Sequence, residues 1–275
     1  MHTTDLNEPR RLLAPDPEIA ARLSARRDEI AAGAATSART RAGLMLGGAV
    51  LATAALASDV FAQGGLPSIV VDVLNFALTL EHLEAEFYVT GVGTSGLIPA
   101  DWMPSFDQIR KHEVAHVAFL RGVLGTAAIA KPNFDFTGGA GAGNGPFADV
   151  FRNAQTFAAV AQAFEDTGVR AYKGQAANLM GNPTILRAAL QIHSVEARHA
   201  AQVRRLRGQK GWITQSMSGG LPDAAQGTYK GEDNTFHFIL GQPDSNRNAL
   251  TEAFDETLSK SQVLEIVAPF IVGGV

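Results

Sequence analysis

One pattern of carboxylates and imidazoles occurs twice in this chain at matched spacing, and it limits the fold more than any other feature. Glu113 and His116 are three residues apart, and so are Glu196 and His199. Three residues make nearly one helical turn, so each pair projects from one face of a helix. Glu81 stands seven residues before Tyr88 and Glu165 seven before Tyr172. Seven residues is nearly two turns, so these pairs share a face as well. Glu81 to Glu113 spans 32 residues and Glu165 to Glu196 spans 31, while Glu81 to Glu165 spans 84 and Glu113 to Glu196 spans 83. The chain reads as two copies of one helical hairpin, each with one glutamate and one Glu-x-x-His. Packed antiparallel around a twofold axis, the hairpins gather four carboxylates and two imidazoles in the middle.

Apolar periodicity and helix punctuation place these residues on four helices. Helix one is expected from the cap Ser68 to about Thr90, stopped by Gly91 and Gly93, with Ile69, Val73, Phe76, Leu80, Leu83 and Phe87 on one face. Helix two follows Pro104-Ser105 and ends at Leu124 before Gly125. The glycine-rich passage 138–145 reads as a flexible crossover rather than a strand. Helix three begins after Pro146 and continues past Tyr172, and helix four runs from about Pro183-Thr184 to about Arg207. Residues 66–207 therefore form the expected all-α four-helix bundle with a long crossover. Residues 208–275 are rich in loop signals and form an irregular C-terminal extension packing on the bundle. It closes with a short helix from Lys260 to about Val267, capped by Ser259 with Gln262 in the capping-box position.

Four buried carboxylates would repel one another and be costly to desolvate. Two divalent cations balance them, and carboxylate with imidazole ligands and no thiolate suits iron or manganese. The chain has no cysteine, which excludes thiolate sites and disulfides. The paired Glu-x6-Tyr and Glu-x-x-His motifs resemble the bacterioferritin and rubrerythrin bundles of the ferritin-like superfamily. The segment 80–88, with Ala253-Phe254-Asp255 and Ala268-Pro269-Phe270 near the end, is similar to its desiccation-related branch. The resemblance covers roughly residues 66–272. It implies the metal ligands Glu81, Glu113, His116, Glu165, Glu196 and His199, with Tyr88 and Tyr172 as hydrogen-bonding partners behind them. It also implies two iron ions, or alternatively two manganese ions. Glu84 shares nearly the same face as Glu81 and is an alternative ligand; its other reading, and that of Glu86, is a solvated helix face. His82, His112 and His193 read as surface or hydrogen-bonded residues, and Arg204, Arg205 and Arg207 as complements to a helix dipole.

The expected function is an exported di-metal carboxylate protein reacting with dioxygen or peroxide in oxidative or desiccation stress defence, an oxidoreductase of ferroxidase, peroxidase or catalase type. The alternatives are a stress-protective protein with a structural metal site and an iron-storage cage. Residues 1–62 read as a leader. Arg39 and Arg41 precede the uncharged stretch from Ala42 to Ser58, and small residues fit cleavage after Ala62. The arginines resemble a twin-arginine signal split by Thr40, pointing to a periplasmic or otherwise exported protein. An uncleaved anchor or a core helix is the other reading of 42–58, although 17 Ala- and Gly-rich residues are short for a span. The mature chain is expected to have no stable span, with a homodimer as an allowed assembly. The formal charge of −4, with no basic stripe, gives no electrostatic case for a nucleic-acid partner, and none is expected.

Overall fold

The computed structural model describes residues 65–236 and 246–274. The expected leader, with its apolar stretch and arginines, lies outside the described residues, as do residues 237–245. Among the described residues, no helix is long and apolar enough to cross a membrane.

Four long helices dominate: α1 Ser68–Gly93, α2 Met103–Leu124, α3 Ala154–Gln175 and α4 Pro183–Leu206. The tie from Asn75 to Ala127 and Ile129 makes α1 and α2 antiparallel, and Asp166 against Arg204 does the same for α3 and α4. Tyr88 meets Glu165 while Tyr172 meets Glu81, so α1 and α3 are antiparallel as well. The result is an all-α four-helix bundle whose diagonal helices α2 and α3 are joined by the long crossover.

Local punctuation explains most helix ends. Pro104 occupies the first turn of α2, where a missing N–H costs nothing. Asn153 accepts from the Gln155 and Thr156 N–H groups to open α3, and Asn182 accepts from Ile185 to open α4. Three boundaries differ from the sequence expectation, the first being the start of α2 at Met103 rather than after Pro104-Ser105. Helix α1 runs through Gly91 to Gly93, because Gly91 lets the Phe157 ring of α3 press against the α1 backbone where any Cβ would collide. Helix α3 starts at Ala154, not just after Pro146. The intervening turns place Phe147 and Val150 in the core.

The glycine-rich crossover is an ordered knot, not a flexible linker. The Asp135 carboxylate accepts hydrogen bonds from the backbone N–H groups of Thr137, Gly141 and Gly143 and from the Thr137 hydroxyl. Burial opposes that charge, but these donors outweigh it and hold the carboxyl at about 2. Gly138, Gly141 and Gly143 supply three of the positive φ angles in the knot, and Ala140 adopts another at 54°. An antiparallel bridge from Phe134 to Ile271 ties it to the chain's end.

Two apolar clusters fill the bundle. One holds Phe76, Phe87, Phe106, Phe157 and Phe164, with Phe87 stacked on Phe157 at 4.6 Å. The other holds Val70, Leu74, Leu120, Leu179 and Ile185 at the opposite end. Each fully buried side chain of this kind contributes about 1.5–3 kcal/mol. The four glutamates and two histidines of the paired motifs come from all four helices, while Tyr88 belongs to the first cluster and Tyr172 to the second. The extension, with α5 Arg247–Thr251 and α6 Lys260–Val267, adds Ile213, Tyr229, Leu258, Val263 and Phe270 to the first cluster. Ser259 and Gln262 form the capping box of α6. Arg170 of α3 clasps the extension, donating to the backbone carbonyls of Thr228, Lys230 and Glu256 and pairing with Glu232.

Candidate metal centre

Glu81 on α1, Glu113 and His116 on α2, Glu165 on α3, and Glu196 and His199 on α4 converge at the middle of the bundle. All four glutamates are 0% exposed. Their donor atoms fall into two overlapping sets. Glu81, Glu113, His116 and Glu196 form one, and Glu113, Glu165, Glu196 and His199 the other; within each, the ligand atoms lie within 4.8 Å of one another.

The overlap has a definite geometry. His116 Nδ1 lies 3.1 Å from Glu113 Oε2 and 3.2 Å from Glu196 Oε1, while His199 Nδ1 lies 2.8 Å from Glu113 Oε1 and 3.8 Å from Glu196 Oε2. Glu113 and Glu196 thus turn one oxygen toward each imidazole, the arrangement of bridging carboxylates. Glu81 Oε2, 3.2 Å from His116, and Glu165 Oε2, 3.3 Å from His199, belong to one set each. Phenols support these two from across the bundle. Tyr88 donates to Glu165 Oε1 at 2.6 Å, and Tyr172 donates to Glu81 Oε1. Each hairpin's tyrosine therefore braces the other hairpin's glutamate.

The donor atoms fit a cation better than they fit one another. His199 Nδ1, Glu113 Oε1, Glu165 Oε2 and both Glu196 oxygens are buried without a hydrogen bond of acceptable geometry, although their separations are short. Buried polar atoms this close together and unpartnered are a set that a shared cation would satisfy. The set is all oxygen and imidazole, which matches iron or manganese.

The titration behaviour expresses the same excess of negative charge. Burial, then Glu196 and Glu81, push the Glu113 carboxyl well up. Burial raises Glu165 to about 7 against the opposing pull of His199. Burial also favours neutral imidazoles, but the carboxylates outweigh it and push His116 far up and His199 to about 12. The two imidazoles in turn overcome burial at Glu196 and bring it down to about 2. A cation bound among these groups would supply the neutralising charge that these shifts call for, and its binding would be coupled to proton release.

Several neighbours depart from the sequence reading. Glu84 is not on a solvated face; it is 3% exposed, and its carboxyl is pushed well up by burial and then by Glu196 and Glu165. In the second hairpin the equivalent position is Gly168, and a Cβ there would stand 3.3 Å from Glu84 Oε1. The glycine leaves the room that the fifth carboxyl fills. Glu84 takes no part in either donor set. Arg204 does not merely complement a helix dipole: it is buried and pairs with Asp166 at 2.6 Å. His82 is buried and His193 partly exposed. His112, one residue before a motif glutamate, bonds to His199; the signal for it was a histidine one helical turn before His116. The centre adjoins a surface groove of about 360 Å³ between α2 and α4, bordered by Gln108, His112, Arg198 and His199.

No curated protein matches the chain. Residues 69–209, just over half of its length, match the family described as ferritin-like domain, and they contain the four long helices, except for Ser68 of α1, and both donor sets. The chain belongs to the ferritin-like domain family.

Proposed function

We propose that the protein holds two iron ions, or two manganese ions, on Glu81, Glu113, His116, Glu165, Glu196 and His199, and reacts with dioxygen or peroxide as an exported oxidoreductase in oxidative or desiccation stress defence. The observation that carries this reading is that Glu113 and Glu196 each turn one oxygen toward one donor set and the other oxygen toward the second, so that they could bridge two cations. A bound pair of this kind supplies two-electron redox chemistry toward dioxygen or peroxide. The chain's own residues set the conditions for it. Tyr88 and Tyr172 keep the Glu165 and Glu81 carboxylates oriented. Leu80, Leu83, Phe106 and Ile109 belong to the apolar cluster next to the site and limit water there. Glu84 adds a fifth buried carboxyl beside the centre, pushed well up by burial and then by Glu196 and Glu165. The groove between α2 and α4 offers a small molecule its approach.

Export is supported by the charged flank, apolar stretch and small residues that end at Ala62. The stress role rests on the resemblance of residues 80–88 to desiccation-related proteins. The test is metal analysis of protein purified without added metal, followed by oxygen- and peroxide-consumption assays. About two iron or manganese per chain, with turnover lost in Glu113→Ala, is the expected result. A chain that binds neither metal overturns the proposal. Survival during drying that is unchanged in Glu113→Ala/Glu196→Ala would instead favour a protective protein whose metals are structural.

A further inference from the structure

The two donor sets are near copies of each other, but their surroundings are not. His199 presents Nδ1 to the carboxylates, and its outer nitrogen, Nε2, lies 2.8 Å from His112 Nδ1. The two rings are inclined by only 15° with centroids 5.1 Å apart, a separation set by the N···N bond rather than by face-to-face contact. His112 is fixed in turn, because its Nε2 lies 2.7 Å from the Gln108 amide one helical turn earlier. His116 has no matching support: its hydrogen bonds among the described residues are made through Nδ1 toward Glu81 and Glu113. The residue one turn before His199, in the place His112 occupies before His116, is Val195. A valine side chain accepts no hydrogen bond.

We propose that His112, held by Gln108, is a positioning residue for His199 and makes the position built on Glu165 and His199 the tighter of two unequal metal positions. This rests on the two-metal reading above. When Nδ1 of His199 gives its lone pair to a cation, Nε2 carries the ring's hydrogen and must donate it. His112 Nδ1 is then the acceptor, so His112 carries its own hydrogen on Nε2. The Gln108 amide must face it with oxygen, which a half-turn of the amide group provides. Every tautomer along the chain His199, His112, Gln108 is thus set from the centre outward. An imidazole held this way loses less rotational freedom on binding and is a stronger electron donor, whereas His116 has neither advantage. Such outer partners typically change metal affinity about 10–100-fold. The two cations therefore bind in order, the one at His199 first.

The test is anaerobic titration of the metal-free full chain with Co(II), read by d–d absorbance and by calorimetry. Wild type is expected to show two steps separated by at least about tenfold. His112→Phe, which keeps a flat ring but accepts no hydrogen bond, should weaken the tighter step about 10–100-fold and leave the other in place. His112→Gln, able to accept through its oxygen, should recover much of that loss, and His199→Ala should remove the step. Melting of each metal-free variant separates these effects from misfolding. Two steps that are unchanged in His112→Phe overturn the inference while leaving the two-metal reading intact. Equal weakening of both steps, or a His112→Gln variant as weak as His112→Phe, also overturns it. A wild-type chain that takes up no Co(II) overturns both.

Discussion

Removing a bridging carboxylate should cost twice what removing a terminal one costs, and metal-dependent stability measures the difference. Glu113 faces both imidazoles, whereas Glu165 faces His199 alone. Free cation at about 100 times its dissociation constant stabilises the folded chain by about 2.7 kcal/mol per position. Two filled positions give about 5 kcal/mol, which raises Tm by roughly 10–20 °C for a chain of this size. Glu165→Ala dismantles one donor set and should keep one cation and about half of that shift or somewhat less, because the position it removes is the tighter one. Glu113→Ala takes an oxygen from both sets and should lose both cations and nearly all of the shift. The assay is calorimetric melting with and without Mn(II), each variant being compared with its own metal-free form so that intrinsic changes cancel. Metal content of the gel-filtered proteins provides the count. Equal metal content and equal shifts in Glu113→Ala and Glu165→Ala would refute the bridging argument.

Three further outcomes follow from geometry outside the donor sets. Asp135 is held at about 2 against an ordinary 3.8, so its contribution is complete above pH 3.8 and disappears as pH falls through about 2. Asp135→Ala should cost about 2 kcal/mol near neutrality, and urea denaturation should show that gap closing in acid; a gap independent of pH would count against it. Gly168→Ala gains about 1 kcal/mol of helix propensity but sets a methyl 3.3 Å from Glu84 Oε1, an overpacking of about 1–3 kcal/mol. Melting should show a net loss in the single variant and a net gain when Gly168→Ala is added to Glu84→Ala. Arg170→Met strands the 0%-exposed Glu232 carboxylate and should cost about 3–5 kcal/mol, with faster proteolysis of the extension; Arg170→Met/Glu232→Gln should recover part of it.

Helices and their register were legible because they are written locally. Apolar residues at three- and four-residue steps, Pro104 and Pro183 near helix starts, and the Ser259–Gln262 box need no knowledge of distant contacts. The matched spacing likewise made legible that six side chains would meet. What the sequence hid depends on partners far along the chain. Gly91 reads as a helix stop until Phe157 is set against it. Glycines 138–145 read as a flexible linker until the Asp135 carboxylate gathers their N–H groups. Glu84 looks solvated because nothing local reveals that Gly168 leaves it a niche. Arg204 and His112 carry the same lesson, since Asp166 and His199 are 38 and 87 residues away.

The internal duplication has a consequence for what the centre is free to become. Two identical hairpins contributed by separate chains would be bound by symmetry to treat both cations alike, and any substitution would strike each side at once. Joined in one chain, the halves answer separately. One carries Glu84 where the other carries Gly168, and one carries His112 where the other carries Val195. If two ions sit side by side here, as proposed, the covalent link between unlike hairpins would let them divide their labour.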